Sequence, residues 1–178
     1  MKRLTPWDLA YATDMTIACW LSYTAAAWVL ASFVNRSDDL LGGMWAVAAT
    51  VFVYRYSYDS SVGAALSRMW ATSLSFLLCL IYLLLFPFSL TGMVTLIGVG
   101  AVTMAILDRP DEIVTTGITT AVVMVVAGLS PHPAWKQPIL RLVDTIVGVG
   151  VGVAGVWITL KSRPNVANKL KNELHKHA

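Results

Sequence analysis

Six apolar stretches, each roughly 15 to 22 residues long, recur along the chain and are separated by short segments that carry most of its charge. A hydrocarbon core about 30 Å thick asks for about 20 residues of a helix that crosses it. The spacing therefore predicts transmembrane helices over 15–34, 40–56, 68–88, 90–107, 113–129 and 139–160. Breakers and polar groups fill the connections: Asn35 to Asp39, Tyr58 to Ser61, Pro87 to Gly92, Asp108 to Glu112, and Ser130 to Pro133. Run together, the third and fourth stretches would make one helix of roughly 35 residues or more, longer than a bilayer takes. Pro87 and Gly92 mark a hairpin there instead. Composition agrees with lipid as the solvent. Of the residues, 57% are hydrophobic and 13% charged, with a mean hydropathy of +0.67, a balance outside that of ordinary soluble domains. The predicted fold class is an all-α integral membrane protein of six transmembrane helices, with a membrane domain over 1–160 and a basic tail over 161–178.

Lys2 and Arg3 are followed by Pro6, Trp7 and Asp8 with no small-residue cleavage site, so the first helix is expected to be retained rather than removed as a signal peptide. Six spans put both termini on one side. That side would hold Lys2, Arg3, Arg55, Arg68, Arg109, Lys161, Arg163, Lys169, Lys171 and Lys176, against Arg36, Lys136 and Arg141 on the other. The positive-inside rule then predicts cytoplasmic termini and a multi-pass protein of the inner, or plasma, membrane.

A shift of 73 residues lays the chain over itself without gaps. Arg36-Ser37-Asp38-Asp39 falls on Arg109-Pro110-Asp111-Glu112, and Arg68-Met69-Trp70-Ala71-Thr72 falls on Arg141-Leu142-Val143-Asp144-Thr145. Charges are scarce here, so two arginines, their acidic neighbours and a threonine coinciding at one offset point to an internal repeat. The copies, about 13–88 and 86–160, hold three helices each. An odd number makes the second copy enter the membrane from the opposite side, an inverted repeat of the kind found in transporters.

These residues carry a family resemblance. A Trp-containing apolar helix, Gly43-Met44-Trp45-Ala46-Val47, leads to an arginine-threonine signature that resembles the R-x-x-G-T-x-x-G pattern of the fusaric acid resistance, or aromatic acid exporter, family. The second copy has Arg141, Asp144, Thr145 and Gly148 at the four positions; the first has Arg68, Ala71, Thr72 and Ser75. The likeness covers about residues 13 to 160, and the six-helix arrangement is similar to that of plant aluminium-activated malate transporters. It implies transport of organic anions, with Arg68, Arg141, Thr72 and Thr145 along the pathway. Long members have two such units and most have a large cytoplasmic domain, so the resemblance implies a homodimer that restores twelve helices.

The residues themselves allow the following chemistry. Arg68 and Arg141 begin the third and sixth predicted helices, where a guanidinium offers a planar fork to a carboxylate; the alternative is that each snorkels to lipid phosphate. Asp144 stands at i+3 from Arg141, on the same helix face. It is either a structural partner of that arginine or a proton-coupling group, since intramembrane acids often mark proton relays. Asp14 is expected at the membrane interface, and Arg36 and Arg109 in loop-edge salt bridges. Gly148 and Gly152 form a small-xxx-small packing face. Tyr54 and Trp70, beside arginines, are either interfacial aromatics or a stacking surface for an aromatic substrate. Cys19 and Cys79 lack ligand spacing and are expected to be packing residues. Val166, Leu170 and Leu174 place a narrow apolar stripe on the tail, and His175 and His177 do not share a helix face.

No nucleophile–base pair, phosphate loop or metal cluster is legible, so neither an enzyme nor a cofactor is expected. The expected partners are the lipid bilayer, a small organic anion and a second copy, not nucleic acid. The function expected is export of small organic, including aromatic, carboxylates with proton coupling. The alternatives are an anion channel and a non-transporting membrane subunit that recruits a soluble partner.

Overall fold

Ser57 shows how local chemistry sets a helix boundary here. Its hydroxyl accepts from the Ser60 amide at 3.2 Å and its carbonyl accepts from the Ser61 amide at 3.0 Å, an N-cap arrangement strengthened by Asp59 in the first turn. The helix therefore starts at Tyr58, and the segment Tyr58 to Ser61, expected to be a connection, is its first turn. In the computed structural model, which describes residues 6–31, 36–55, 57–129 and 133–162, the helices are α1 (Pro6–Ala31), α2 (Arg36–Val53), α3 (Tyr58–Leu85), α4 (Leu90–Ile106), α5 (Ile113–Leu129) and α6 (Lys136–Ser162). A 3-10 turn, Pro110–Glu112, precedes α5, and no strand occurs among the described residues. The tail with Val166, Leu170, Leu174, His175 and His177 lies outside the described residues, as do Lys2, Arg3, Asn35 and Ser130.

Three predicted positions shift, one of them Arg141, which stands about 8 Å along α6 rather than at its start. Arg68 does not begin its helix but stands about 15 Å along α3, at 1.5 Å per residue from Tyr58. Asp14 is not at the start of α1, which opens with Pro6, but about 12 Å along it. Among the described residues, three helices are long and apolar enough to cross a membrane: Tyr58–Leu85, Pro110–Leu129 and Lys136–Ser162. Leu41–Val53 and Leu90–Ile106 are shorter apolar helices.

Polarity is distributed inside out. Trp28, Ile106 and Leu129 are 80%, 79% and 80% exposed, while Arg68, Glu112, Arg141 and Asp144 are buried. In water this would cost the hydrophobic burial that drives folding; in hydrocarbon it is the favourable arrangement, because lipid solvates the apolar exterior and the polar groups find each other inside. The chain is a membrane protein on these grounds.

Two compact units make up the chain. The first contains α1, α2, the start of α3 and α6 from Ile146 onward. Here α6 lies backbone-close to α2. A Cβ at Gly148 would collide with the Ala46 carbonyl and lie 2.8 Å from the Ala49 Cβ, and one at Gly152 would lie 3.2 Å from the Thr50 carbonyl. Thr50 uses that proximity, its hydroxyl donating to the Gly148 carbonyl at 2.9 Å across the helix pair and to Ala46 within α2 at 3.0 Å. Small residues permitting close approach, with a hydroxyl bridging the backbones, is how helices associate when lipid removes the hydrophobic drive.

The second unit contains α3 from Ser67, α4, the 3-10 turn, α5 and α6 up to Thr145. Pro87 does separate α3 from α4. Ser89, extended at φ −145° and ψ 148°, caps α4 by accepting from the Gly92 amide at 3.0 Å and bonds the Tyr82 hydroxyl at 2.8 Å. Gly92 itself is a residue of α4 rather than of the turn, and a glycine stands there because the Tyr82 phenol occupies the space a side chain would need. At the far end of α4, Asp108 adopts φ 57°. The Asp108 and Arg109 amides reach back to the Ala105 and Met104 carbonyls at 3.2 and 3.0 Å, closing the helix before Pro110 starts the next turn. Cys79, Leu83, Leu96, Val123, Met124 and Ala127 form this unit's apolar core.

Candidate functional site

The second unit holds Arg68, Trp70, Thr72, Arg141, Asp144 and Thr145, whereas Tyr54, Gly148 and Gly152 belong to the first. In α6, Arg141 Nη1 and Asp144 Oδ2 are 3.0 Å apart, with the two side chains 1% and 0% exposed. The helix puts them one turn apart on one face. Thr145, one residue on, donates to the Arg141 carbonyl at 2.8 Å, so its hydroxyl is taken up by its own helix. Gln137, a turn before Arg141, is also fully buried. A buried ion pair in a membrane-spanning helix sacrifices the solvation of two charges, and such residues persist where they do a job.

In α3 the buried face reads Arg68, Thr72, Ser75, Cys79 and Leu83, spaced by four, three, four and four residues. In α5 it reads Thr116, Thr119 and Thr120, then Val123, Met124 and Ala127. The two faces meet side by side and run in the same direction. Ser75 donates to the Thr116 carbonyl at 3.0 Å, Thr120 donates to the Ser75 hydroxyl at 3.2 Å, and Cys79 points at the Thr120 carbonyl at 4.0 Å. Sequence reasoning missed Ser75 as a polar contact, and it missed all three α5 threonines. Their signal was there to read: Thr115-Thr116 and Thr119-Thr120 repeat a hydroxyl pair at i and i+4 in an otherwise apolar helix.

Trp70, about half exposed, lies with its ring centroid 5.2 Å from the Arg109 guanidinium carbon. Arg109 in turn bonds the buried Glu112 at 3.2 Å. That contact sets Trp70 level with the α4–α5 connection, so Arg68, two residues before it, stands near that end of the unit even though α3 extends beyond it. Tyr54 has a different setting from the one expected. It is buried, edge-on to Tyr11 at 5.4 Å, and bonded to the Thr159 hydroxyl at 3.0 Å. Its ring is thus committed to packing with Ala18 and Val156 in the first unit.

An open, apolar groove of about 780 Å³ also occurs in the first unit, between α1 and α6, bordered by Asp14, Ala18, Trp28, Gly155 and Thr159 among others. Arg68, Arg141 and Asp144 do not line it.

A family model described as fusaric acid resistance protein-like matches residues 15–155. The match speaks for the fusaric acid resistance side of the resemblance and does not bear on the malate transporters. No curated protein and no solved structure matches the chain. The matched span takes in both buried arginines, Asp144 and all but the ends of α1 and α6. The chain belongs to the fusaric acid resistance protein-like family of membrane transport proteins.

Proposed function

We propose that this protein exports small organic carboxylates, aromatic ones included, across the inner membrane. Arg68 and Arg141 are the cationic positions of the pathway, and Asp144 is the group through which export is coupled to protons. The observation that carries the reading is the fully buried Arg141–Asp144 pair at 3.0 Å in an apolar spanning helix. A guanidinium held by an internal carboxylate is available to a substrate carboxylate only when the internal one lets go. Protonating Asp144 removes its charge and does that, so one proton crosses together with each carboxylate and leaves with it, and export runs down the outward gradient of the carboxylate. Exchange of one carboxylate for another at a guanidinium is a near-isoenergetic swap of bidentate partners, which suits a carrier that must bind and then release.

Orientation and symmetry belong to the same reading. Ten cationic residues against three support cytoplasmic termini. Shifted by 73 residues, α2 falls on 109–126 and α3 on 131–158, close to the span from Pro110 to Leu129 and to α6, which supports the two-copy inverted arrangement.

The test is flux. Purified protein in liposomes should move a labelled aromatic carboxylate uphill when an inward-directed proton gradient is imposed, and an uncoupler or Arg141→Ala should abolish this. Flux that only follows the electrochemical gradient would replace the exporter with a channel. No flux for any anion tried would leave a non-transporting membrane subunit.

A further inference from the structure

The hydroxyl face shared by α3 and α5 is more than helix glue. Thr72 and Thr116 are 1% and 0% exposed, and their hydroxyl oxygens have no protein partner among the described residues. A threonine on a helix ordinarily settles this by donating to the carbonyl four residues back, as Thr119 does to Thr115 at 2.8 Å and Thr145 to Arg141 at 2.8 Å. Thr72 and Thr116 do not, although each is helical and each has such a carbonyl. A buried hydroxyl left without a protein partner is destabilising, and water retained beside such a group supplies the missing bond.

Their place in the seam is ordered. Arg68 stands at the end level with the α4–α5 connection, where Arg109, Glu112 and Trp70 are gathered. Thr72 and Thr116 come next, then Ser75, Thr119 and Thr120. At Cys79 the lining changes: from there the buried Leu83, Leu96, Val123, Met124 and Ala127 form an apolar core. From Arg68 to Cys79 is about 16 Å of helix, roughly half of a hydrocarbon core.

We propose that this hydroxyl row is a water-filled half-channel that accepts the oxygen atoms of an anion, entered beside Arg68 and shut at its inner end by the apolar plug that begins at Cys79. The carboxylate cargo rests on the transport reading above; the water and the plug rest on the geometry alone. Hydroxyl donors in a narrow seam replace part of an anion's hydration, and a dry apolar constriction blocks ions without a moving gate. The structure is then the closed form of the pathway on the plug side.

Labelling from water tests the seam without requiring transport. In the Cys19→Ala protein, which retains Cys79, Thr72→Cys and Thr116→Cys should each take one adduct of a charged, water-soluble methanethiosulfonate, counted by intact mass, on variants that elute in detergent like the parent. Cys79 in the parent and an added Leu83→Cys should take none on the same timescale. Threonine positions as unreactive as Cys79 would overturn the water-filled seam, and Cys79 and Leu83→Cys reacting as fast as Thr72→Cys would overturn the plug. Flux in liposomes gives a second, separable readout. The isosteric pair Thr72→Val with Thr116→Val should slow carboxylate transport by about tenfold or more, whereas Thr95→Val, on the exposed face of α4 and with its hydroxyl already serving its own helix, should leave it near the parent rate. Wild-type flux in the double valine variant would refute the seam as pathway while the transport reading stood. A parent that carries nothing would refute the transport reading, with the labelling still deciding the seam.

Discussion

Asp144→Asn keeps the size and hydrogen-bonding shape of the side chain and removes its charge, leaving the Arg141 guanidinium buried in α6 without its counter-ion. At 3.0 Å and an effective dielectric near 20, the attraction lost is about 5.5 kcal/mol. Breaking one side of a buried pair is expected to destabilise by about 3–5 kcal/mol, and by less where the unfolded reference remains in the membrane and finds other partners. Arg141→Met should cost a similar amount, because it strands the carboxylate instead. The double variant removes both charges and the desolvation they imposed, so its loss should be well below the sum of the two singles. A double-mutant cycle by denaturant titration in detergent, followed by helical circular dichroism, measures the difference as a coupling energy of at least about 1 kcal/mol. Single variants within experimental error of the parent, or strictly additive losses, would refute the pair as an internal lock. The same variants divide the two roles of Asp144. A purely structural partner predicts that flux falls in step with stability. A proton-coupling role predicts that Asp144→Asn, under conditions where it stays folded, still exchanges carboxylate but no longer accumulates it against a gradient.

Gly148→Ala should destabilise by about 1–3 kcal/mol, since the Ala49 Cβ must move from 2.8 Å to beyond 3.4 Å and the Ala46 carbonyl cannot bend away. Gly150→Ala, whose added methyl meets nothing within 4 Å, should be neutral. Equal melting temperatures for the two would sink the close-packing account. Tyr54→Phe loses the bond to Thr159 and should lower stability by about 0.5–1.5 kcal/mol while leaving carboxylate flux intact; a selective loss of aromatic substrates would return Tyr54 to the pathway. A detergent-corrected mass near twice 19.3 kDa is expected for the homodimer that the family pattern implies, and a mass near one protomer would refute it.

Much of the architecture was legible because lipid imposes a simple rule. Backbone groups must bond within a segment, so an apolar stretch of sufficient length is a helix before any partner is known. Thus α5 begins at Ile113 and ends at Leu129 where the apolar run does, and Arg141–Asp144 was legible as an i, i+3 pair from helical geometry alone. Boundaries set by chemistry outside the hydrocarbon were not legible in the same way. The Ser57 cap extends α3 by ten residues, and hydropathy does not register a capped, hydroxyl-rich first turn. Tertiary structure alone decided which polar groups face each other. Helical periodicity places Thr72 and Ser75 on one face of α3 and Thr116 and Thr120 on one face of α5, but a helix face has no stated partner in a one-dimensional sequence, and the Ser75, Thr116 and Thr120 hydroxyls were not read from it. It took the packing of α3 beside α5 to bring Ser75 onto the Thr116 carbonyl, and of α2 beside α6 to bring Thr50 onto the Gly148 carbonyl. Length and polarity therefore determined that the chain has helices in lipid with charges inside. Close approach between backbones, a property of pairs of helices, decided where its hydroxyls end and its apolar plug begins.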